Sequence, residues 1–313
     1  MNKYCFGVDI GGTTVKIGLF TTDGAIVDNW EINTNKADGG SNILSDISAS
    51  LTDKMQEKGI EKDEIEGIGI GVPGPVDDKG TVLTCVNLGW GTFNVAEEVT
   101  RLTGITNVKA GNDANVAALG EMWLGGGKGY SDMIMITLGT GVGGGVIHNG
   151  KIITGTKGAA GEIGHMLVNY EEEDPCNCGR KGCLEQYASA TGIVKVAKRL
   201  LDKSEEESSI RDKENLSAKM IFDAAKEGDK LATECVEQLG WYLGVACANI
   251  AAVVEPDVYV IGGGVSKAGA ILLDVIQRYY EKYAFHAHKD KEFKLAELGN
   301  DAGIVGAAKL VID

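Results

Sequence analysis

Two hairpins of similar design, each closed by a glycine-rich turn, lie 128 residues apart, with Gly11 matching Gly139. In each hairpin two apolar segments flank the turn, and an Asp-Gly or Asn-Gly pair then starts a third strand. The predicted strands are 4–9, 15–20 and 25–32 around Gly11-Gly12-Thr13, and 134–138, 143–148 and 151–154 around Gly139-Thr140-Gly141. A spacing this long predicts two domains of one topology instead of a solenoid. The alternative is that any two hairpins that turn on glycine look alike.

Composition limits the classes of protein to which the chain can belong. Of its 313 residues, 43% are hydrophobic, which is enough for folded cores and excludes disordered and fibrous proteins. The formal net charge of −15 argues against nucleic acid as a partner, because a phosphate backbone would be repelled. The most apolar stretch, 243–254, is shorter than the ~20 residues that span a bilayer. Because residues 1–5 lead into a predicted strand without a secretory h-region, we expect no secretory leader. We therefore expect a cytoplasmic protein with no membrane partner.

Periodicity in the rest of the chain alternates between strands and helices, as is typical of an α/β protein. Apolar residues at Ile43, Ile47, Leu51 and Met55 predict a helix that ends at Gly59. Further strands are predicted at 66–72, near 108 and at 258–261, and further helices at 189–201, 217–226 and 229–254. The acidic segment 203–214 is interpreted as a solvated loop or helix surface.

The glycine-rich segments 69–74 and 139–144 fit the spacing of a dinucleotide-binding fingerprint, but neither can open the helix which that site requires. Prolines interrupt the first segment, and strand-like residues follow the second. A phosphate clamp of another kind is favoured, in which backbone N–H groups of the two hairpin turns act with Thr13, Thr140 and Lys16. Asp9 could then hold Mg²⁺ against the phosphates. The alternative is two tight turns and a buried aspartate.

Three cysteines lie within eight residues, at Cys176, Cys178 and Cys183, and two glycines allow this loop to fold back. Zn²⁺ prefers four nitrogen or sulfur ligands in a tetrahedron, and disulfides are rare in a reducing compartment. His165 is the histidine nearest to the loop in sequence and is therefore the candidate fourth ligand. The alternative is a set of free or redox-active thiols.

The acidic candidates are less specific. Asn112-Asp113-Ala114 starts a predicted helix, so the default role of Asp113 is an N-cap or a first-turn carboxylate, and Asn300-Asp301-Ala302 starts another helix in the same way. Glu162 and Glu185 lie next to the candidate metal ligands, and a bound zinc would bring both carboxylates towards one place.

These motifs, in this order, resemble the ROK family of sugar kinases and sugar-responsive repressors, and within it the bacterial ROK glucokinases in particular. The resemblance covers essentially the whole chain, and its most specific part is the cysteine motif. The matching segments are Asp9-x-Gly-Gly-Thr-x-x-Lys16, Gly71-Val-Pro-Gly-Pro-Val-Asp77, Asn87-Leu-Gly-Trp90, Asn112-Asp-Ala-Asn115, 138–145, Gly161-Glu-x-x-His165, Cys176-x-Cys-Gly-x-x-Gly-Cys-x-Glu185 and Gly262-Gly-Gly-Val-Ser266.

The resemblance implies an actin-like ATPase (ribonuclease H-like) fold, with two duplicated α/β domains and a cleft between them. The implied bounds are a small domain at 1–111 and a larger one with the zinc loop at 112–299, and a C-terminal helix at 300–313 is expected to pack back on the first domain. The implied activity is ATP-dependent phosphorylation of the 6-hydroxyl of glucose. Mannose, fructose and N-acetylmannosamine remain alternative acceptors, and polyphosphate an alternative donor.

The resemblance also assigns roles to residues at matching positions. Asp113 is implied as the general base. The implied hexose ligands are Gly74, Asn112, Asp113, Glu162, His165 and Glu185; the implied ATP ligands are Asp9, Gly11, Gly12, Thr13, Lys16, Gly139, Thr140, Gly141, Gly262, Gly263 and Gly264; and the implied zinc ligands are His165, Cys176, Cys178 and Cys183. A homodimer is the family expectation. A sugar-sensing repressor would need a DNA-reading segment before the first hairpin, for which we expect no room, and a non-catalytic sugar-binding protein has no use for Asp9, Lys16 and Asp113.

Overall fold

The first glycine-turned hairpin lies in a mixed five-stranded sheet of the computed structural model. In spatial order the strands are Ile26–Asn33, Thr14–Thr21, Tyr4–Ile10, Ile65–Val72 and Val108–Asn112. The first three are antiparallel and the last three parallel, and Asp9 pairs with both Lys16 and Gly71. The structure describes residues 3–312, so Met1 and Asn2 of the predicted domain 1–111 and Asp313 of the predicted helix 300–313 lie outside the described residues.

The second hairpin lies in another five-stranded sheet with the same order of strands. Its strands are Lys151–Ile152, Val142–His148, Met133–Leu138, Val258–Gly262 and Glu292–Leu295. Here too the strand before the glycine turn is paired in parallel with the next strand of the sheet. The predicted duplication is therefore confirmed at the level of topology, although the third strand ends at Ile152, before the predicted 154.

The helices follow the periodicity of the sequence closely. Those over the regions predicted to be helical are Ile43–Lys58, Asp113–Leu124, Ala190–Lys203, Ala218–Lys226 and Lys230–Val254. Four helices were not predicted from the sequence: Val95–Thr103, Ala270–Tyr283 and the short helices Ala37–Gly40 and Glu185–Ala188. The remaining elements are helix Ala302–Leu310, the strand pair Thr81–Val82 and Phe93–Asn94, and 3-10 turns at Lys62–Glu64, Val86–Leu88, Ile163–His165, Gly264–Ala268, His286–His288 and Gly299–Asp301.

Glycines in the first sheet allow a helix to pack directly on its backbone. A β-carbon at Gly7 would clash with the carbonyl of Ile304, and one at Gly69 with the carbonyl of Ala307, both in helix Ala302–Leu310. Since glycine has no β-carbon, the helix can approach the sheet more closely than it could if any other residue stood at these two positions. These glycines therefore serve helix packing, which their local sequence does not predict.

Contacts divide the chain into two compact units. The first comprises the described parts of Met1–Ser131, Gly145–Gly161 and Glu297–Asp313, and the second comprises Asp132–Gly144 and Glu162–Ala296. Helix Asp113–Leu124 belongs to the first unit because Gly120 packs on Ala302 and Gly306 packs on Val116. The predicted domains, 1–111 and 112–299, have boundaries that differ from those of these two units, and this division into domains remains a prediction. The terminal helix extends over Ala302–Leu310, shorter than the predicted 300–313.

The first unit has a core on each face of its sheet. One core joins Val8, Ile17 and Ile68 to Ile47 and Val99 of two helices. The other joins Cys5 and Phe20 to Ile304, Val305 and Ala308. Within residues 3–312, no helix has the length and apolar character needed to cross a membrane.

Candidate active site

In the first unit, Asn112 and Asp113 lie where a parallel strand passes directly into a helix. Asn112 is the N-cap of helix Asp113–Leu124, because its Oδ1 accepts hydrogen bonds from the N–H groups of Ala114 (3.1 Å) and Asn115 (3.2 Å). Its Nδ2 donates to Gly74 O at 3.1 Å and to Asp113 Oδ1 at 3.0 Å. Three predicted hexose ligands, Gly74, Asn112 and Asp113, are thus brought together, and Asp113 is half-buried at the carboxyl end of the sheet.

Asp9 lies near the carboxyl end of strand Tyr4–Ile10, which is separated from strand Val108–Asn112 by strand Ile65–Val72, and it is electrostatically coupled to Asp113. Burial raises the pKa of Asp9 to about 6; the charge of Asp113 adds to this rise, and Lys16 opposes it. A β-carbon at Gly303 would clash with the Asp9 carboxylate, so glycine at the start of the terminal helix makes room for this acid. The single carboxylate fits Mg²⁺ bound mainly by phosphate oxygens and water, because that ion takes one or two carboxylates at such sites.

Lys16 is the cross-strand neighbour of Asp9. Its Nζ donates to Asn300 O at 3.3 Å and lies 3.7 Å from Glu31 Oε1. The ammonium group is partly exposed, with 27% of the side chain accessible to solvent. It is therefore held on the face of the sheet that carries Asp9 and remains within reach of an anionic ligand.

The first hairpin turn leaves backbone open to a ligand at one glycine. Gly11 N–H donates to Thr14 O at 2.9 Å and closes the turn. A β-carbon at Gly12 would meet no atom within 4 Å, whereas one at Gly11 would lie 2.7 Å from Thr14 O. Thr13 is exposed, and its carbonyl accepts from Thr34 N–H at 2.9 Å. Gly12 and Thr13 can therefore meet a phosphate group.

In the second unit, two glycine segments lie side by side. Gly139 N–H donates to Gly141 O at 3.0 Å in the turn, and Thr140 is exposed. Gly263 has φ +82°, and a β-carbon there would lie 2.5 Å from Leu138 O, so the Gly262–Gly264 segment packs against the residue just before the turn. Gly262 is buried, whereas a β-carbon at Gly264 would meet nothing within 4 Å. Gly264 is therefore the member of this triplet with space for a ligand.

The four predicted metal ligands converge in the second unit. One potential ligand atom from each of His165, Cys176, Cys178 and Cys183 lies within 4.8 Å of all the others. Cys178 Sγ is 3.6 Å from Cys183 Sγ, and Cys176 Sγ is 3.8 Å from His165 Nδ1. In a tetrahedral site with Zn–S of about 2.3 Å and Zn–N of about 2.0 Å, neighbouring ligand atoms are about 3.5 to 3.8 Å apart. The cluster predicted from spacing is present, and its dimensions fit zinc.

Glu185 borders this cluster. Its Oε1 accepts a hydrogen bond from the Cys176 thiol at 2.9 Å and lies 3.7 Å from His165 Nδ1. Glu185 and His165 also line an open cavity of about 660 Å³ together with Thr140 and Gly141 of the hairpin turn. Glu162 is exposed, and its carbonyl accepts from His165 N–H at 3.1 Å. The structure therefore joins the metal cluster and Glu185 to the second glycine turn.

Two buried carboxylates, Glu121 and Glu172, were not predicted from the sequence. Glu121 is fully buried and accepts from the N–H groups of Gly126 (2.9 Å), Glu297 (3.0 Å) and Leu298 (2.9 Å). Glu172 is buried beside the cysteine loop and binds Arg199 through two hydrogen bonds of 2.7 Å each. A glutamate in the apolar sequence 116–124 was the one available signal for Glu121; for Glu172 there was none.

Comparison with protein families shows where the chain belongs. The model of the ROK family matches residues 5–313. The chain belongs to the ROK family. A glucokinase of Halalkalibacterium halodurans is 46% identical to it over 99% of this chain and 95% of the relative. The xylose repressor of Caldicellulosiruptor bescii is 30% identical over 98% of this chain and 77% of the relative.

A solved ROK structure extends the comparison to the fold. The ROK glucokinase of Streptomyces griseus, in complex with glucose and AMPPNP, is 34% identical, covers 98% of each chain and has a TM-score of 0.73. The expected fold is confirmed: the chain has the actin-like ATPase fold of the ROK sugar kinases. Kinases and repressors share this fold, so the residues of the site have to decide between them.

Proposed function

We propose that this ROK protein transfers a phosphoryl group from ATP to the 6-hydroxyl of glucose. The observation that carries the proposal is the Asn112–Asp113 arrangement, a carboxylate fixed by its neighbour's amide at the carboxyl end of a parallel strand. A sensor that only binds sugar has no need of such a base. The glucokinase at 46% identity supports glucose as the acceptor.

Asp113 is the proposed general base. An alcohol is a poor nucleophile, and a carboxylate that removes its proton in the transition state contributes about 10² to 10⁴-fold. The Asn112 amide holds the carboxylate in one orientation, so that the attacking hydroxyl meets a preorganised acceptor. Asn112 and the Gly74 carbonyl that it contacts are proposed to orient the same hexose.

The proposed ATP ligands of the first unit are Asp9, Gly11, Gly12, Thr13 and Lys16. Lys16 donates charge-assisted hydrogen bonds to phosphate oxygens, and Gly12 offers open backbone. Asp9 would hold the Mg²⁺ that accompanies ATP, which neutralises phosphate charge when bound. In the second unit, Gly139, Thr140 and Gly141 are proposed to bind phosphates, and Gly262, Gly263 and Gly264 to lie near the adenosine.

Glu162, His165 and Glu185 are proposed to bind the remaining hexose hydroxyls. His165, Cys176, Cys178 and Cys183 would hold a structural zinc, since three thiolates and an imidazole fill a tetrahedron. Nδ1 is the ring nitrogen of His165 that faces Cys176, so Nε2 is the proposed donor to the sugar. The metal then orients the His165 ring and the loop that leads to Glu185.

One experiment distinguishes glucose and ATP from the alternative sugars and phosphoryl donors. Purified protein is mixed with Mg²⁺ and either ATP or polyphosphate, and formation of sugar phosphate is followed with glucose, mannose, fructose and N-acetylmannosamine. We expect the highest kcat/KM for glucose with ATP. Binding of glucose without phosphorylation under every donor would overturn the kinase proposal in favour of a sugar sensor. The same preparation tests the expected homodimer by sedimentation.

A further inference from the structure

The second glycine turn lies directly against the carboxylate of Glu185. A β-carbon at Gly141 would lie 2.6 Å from Glu185 Oε2, closer than real side chains approach. Only glycine at this position leaves the carboxylate where it is, bordering the cysteine cluster. The position of Glu185 is thus set partly by the turn proposed to bind phosphate.

Hydrogen bonds join the same two segments. The helical turn Glu185–Ala188 runs directly into helix Ala190–Lys203. Ala190 N–H donates to Gly139 O at 2.8 Å, and Thr191 Oγ1 donates to Thr140 O at 2.6 Å. Ser189 Oγ donates to Glu185 O at 2.6 Å and lies 3.1 Å from Thr191 Oγ1. A continuous chain of contacts therefore connects the glycine turn with Glu185.

These contacts lie within one unit and face one cavity. Thr140, Gly141, Glu185 and Thr191 all line the cavity of about 660 Å³ that also contains His165. A ligand group on the turn and another on Glu185 would therefore contact two parts of a single braced element.

We propose that Gly141 and Thr191 are positioning residues that couple the phosphate turn to Glu185, so that nucleotide and hexose each strengthen the binding of the other. This rests on the proposed function, in which the turn binds phosphate and Glu185 binds a hydroxyl. Coupling of this kind is reciprocal: the factor by which nucleotide raises hexose affinity equals the factor by which hexose raises nucleotide affinity.

Thr191 tests the coupling through one hydroxyl. Calorimetry gives the Kd of glucose with and without saturating Mg²⁺–AMPPNP, and the ratio of the two is the coupling factor. For the wild-type protein we expect a factor of about five or more. Thr191→Val loses the hydrogen bond to Thr140 and should bring the factor towards one, whereas Thr191→Ser retains the hydroxyl and should keep the factor close to the wild-type value.

Gly141→Ala tests the contact with Glu185 from the side of the turn. The atom that the added methyl group meets is the end of a flexible side chain, so the fold should survive while the carboxylate moves. We expect glucose affinity without nucleotide to fall by about tenfold or more, because misplacing a binding group by an ångström is costly. Gly141 is also a proposed phosphate ligand, so AMPPNP affinity can fall as well, but a residue of the phosphate turn alone would leave glucose affinity without nucleotide unchanged.

The outcomes separate the two proposals. If the wild-type protein binds neither glucose nor AMPPNP, the proposed function fails and this inference with it. If it binds both with a coupling factor of one, or if Thr191→Val keeps the full factor, only the coupling is wrong. A Gly141→Ala variant that binds AMPPNP more weakly but binds glucose with unchanged affinity would show that Gly141 does not position Glu185.

Discussion

The side-chain amide of Asn112 donates a hydrogen bond of 3.0 Å to Oδ1 of Asp113. The N–H of Ala114 donates to the same oxygen at 2.8 Å, so two donors hold one oxygen of the carboxylate. A proton acceptor that is held in this way needs little reorganisation when a substrate hydroxyl arrives. The arrangement makes Asp113 the residue on which the proposed chemistry most depends.

Asp113→Asn should lower kcat by at least ~10²-fold and leave glucose binding largely intact, because the amide has the size of the carboxylate but cannot accept the proton. Steady-state kinetics and calorimetry with glucose measure the two effects. The matched control is Asp301→Asn in the similar triplet before helix Ala302–Leu310, which has no proposed catalytic role and should keep full turnover. A kcat of Asp113→Asn close to the wild-type value would show that Asp113 is not the general base.

Lys16→Ala should raise the KM for ATP more than the KM for glucose, because an ammonium group binds polyphosphate more strongly than a neutral sugar. The variant also removes the 3.7 Å contact with Glu31. Glu31→Gln removes that contact and keeps the ammonium group, and should leave the ATP KM within about twofold of the wild-type value, as expected for a partly exposed ion pair. A larger effect of Lys16→Ala on glucose than on ATP would contradict the assignment.

Asp9→Asn should stabilise the nucleotide-free protein at neutral pH and lower its kinase activity. The folded protein raises the pKa of Asp9 from 3.8 to about 6, so it binds more protons at this site than the unfolded chain between these two values. Ionisation of Asp9 therefore costs stability as the pH rises through this window, and the full cost is present above about pH 6.

Denaturant unfolding at a series of pH values measures the effect. The Asp9→Asn variant should be more stable than the wild-type protein by about 1 to 3 kcal/mol at pH 7, and the difference should vanish below about pH 4. Asp63→Asn on the exposed surface is the control and should change neither stability nor activity. A constant difference at all pH values would show that the charge of Asp9 is not its cause.

Cys178→Ser should reduce bound zinc from about one atom per chain, lower the melting temperature and raise the glucose KM. A structural site loses its tetrahedron when one ligand is replaced, and the loop that orients Glu185 loses its brace. ATP affinity measured without sugar should change much less. Cys235→Ala, a buried cysteine outside the cluster, should keep the metal. Active wild-type protein that contains no zinc would refute the proposed site.

Arg199→Met should destabilise the fold by about 1.5 to 3 kcal/mol at pH 7, because it removes the cationic partner of buried Glu172, which is left with the hydrogen bonds from the Tyr187 hydroxyl and the Asp174 N–H. Arg199 holds the pKa of Glu172 down at about 2, so the pair stabilises the protein above about pH 4.5, and this contribution is lost as the pH falls towards 2. The effect of the substitution should therefore be much smaller in acid. Urea unfolding at pH 7 and in acid measures both.

The control for this pair is Arg278→Met. Arg278 binds Glu237 at 2.7 Å, but its side chain is 59% exposed, and an exposed pair of this kind is worth about 1 kcal/mol or less. Equal losses in the two variants would show that burial of Glu172 does not set the strength of its ion pair.

Local features of the chain predicted much of the fold. The two hairpins, the helix Ile43–Lys58 that ends at Gly59, and the helices capped by Ser189, Ser217 and Asp229 lie within a few residues of their predicted bounds. Each of these is decided by turn chemistry, capping or apolar periodicity over a short stretch of chain. The cysteine cluster was equally accessible, because three of its four ligands share one loop.

The sequence by itself determined which chemical groups are available: the glycine turns, the cysteine loop and the carboxylates of Asp9 and Asp113. Tertiary structure decided which of these groups act together. It turned Gly7 and Gly69 into packing positions for a helix distant in sequence, placed Glu172 on Arg199, and set Gly141 against Glu185. The reason is physical: spacing along the chain controls the neighbours of a residue within a helix or hairpin. The separation between distant segments depends on how whole elements pack, which no local pattern encodes.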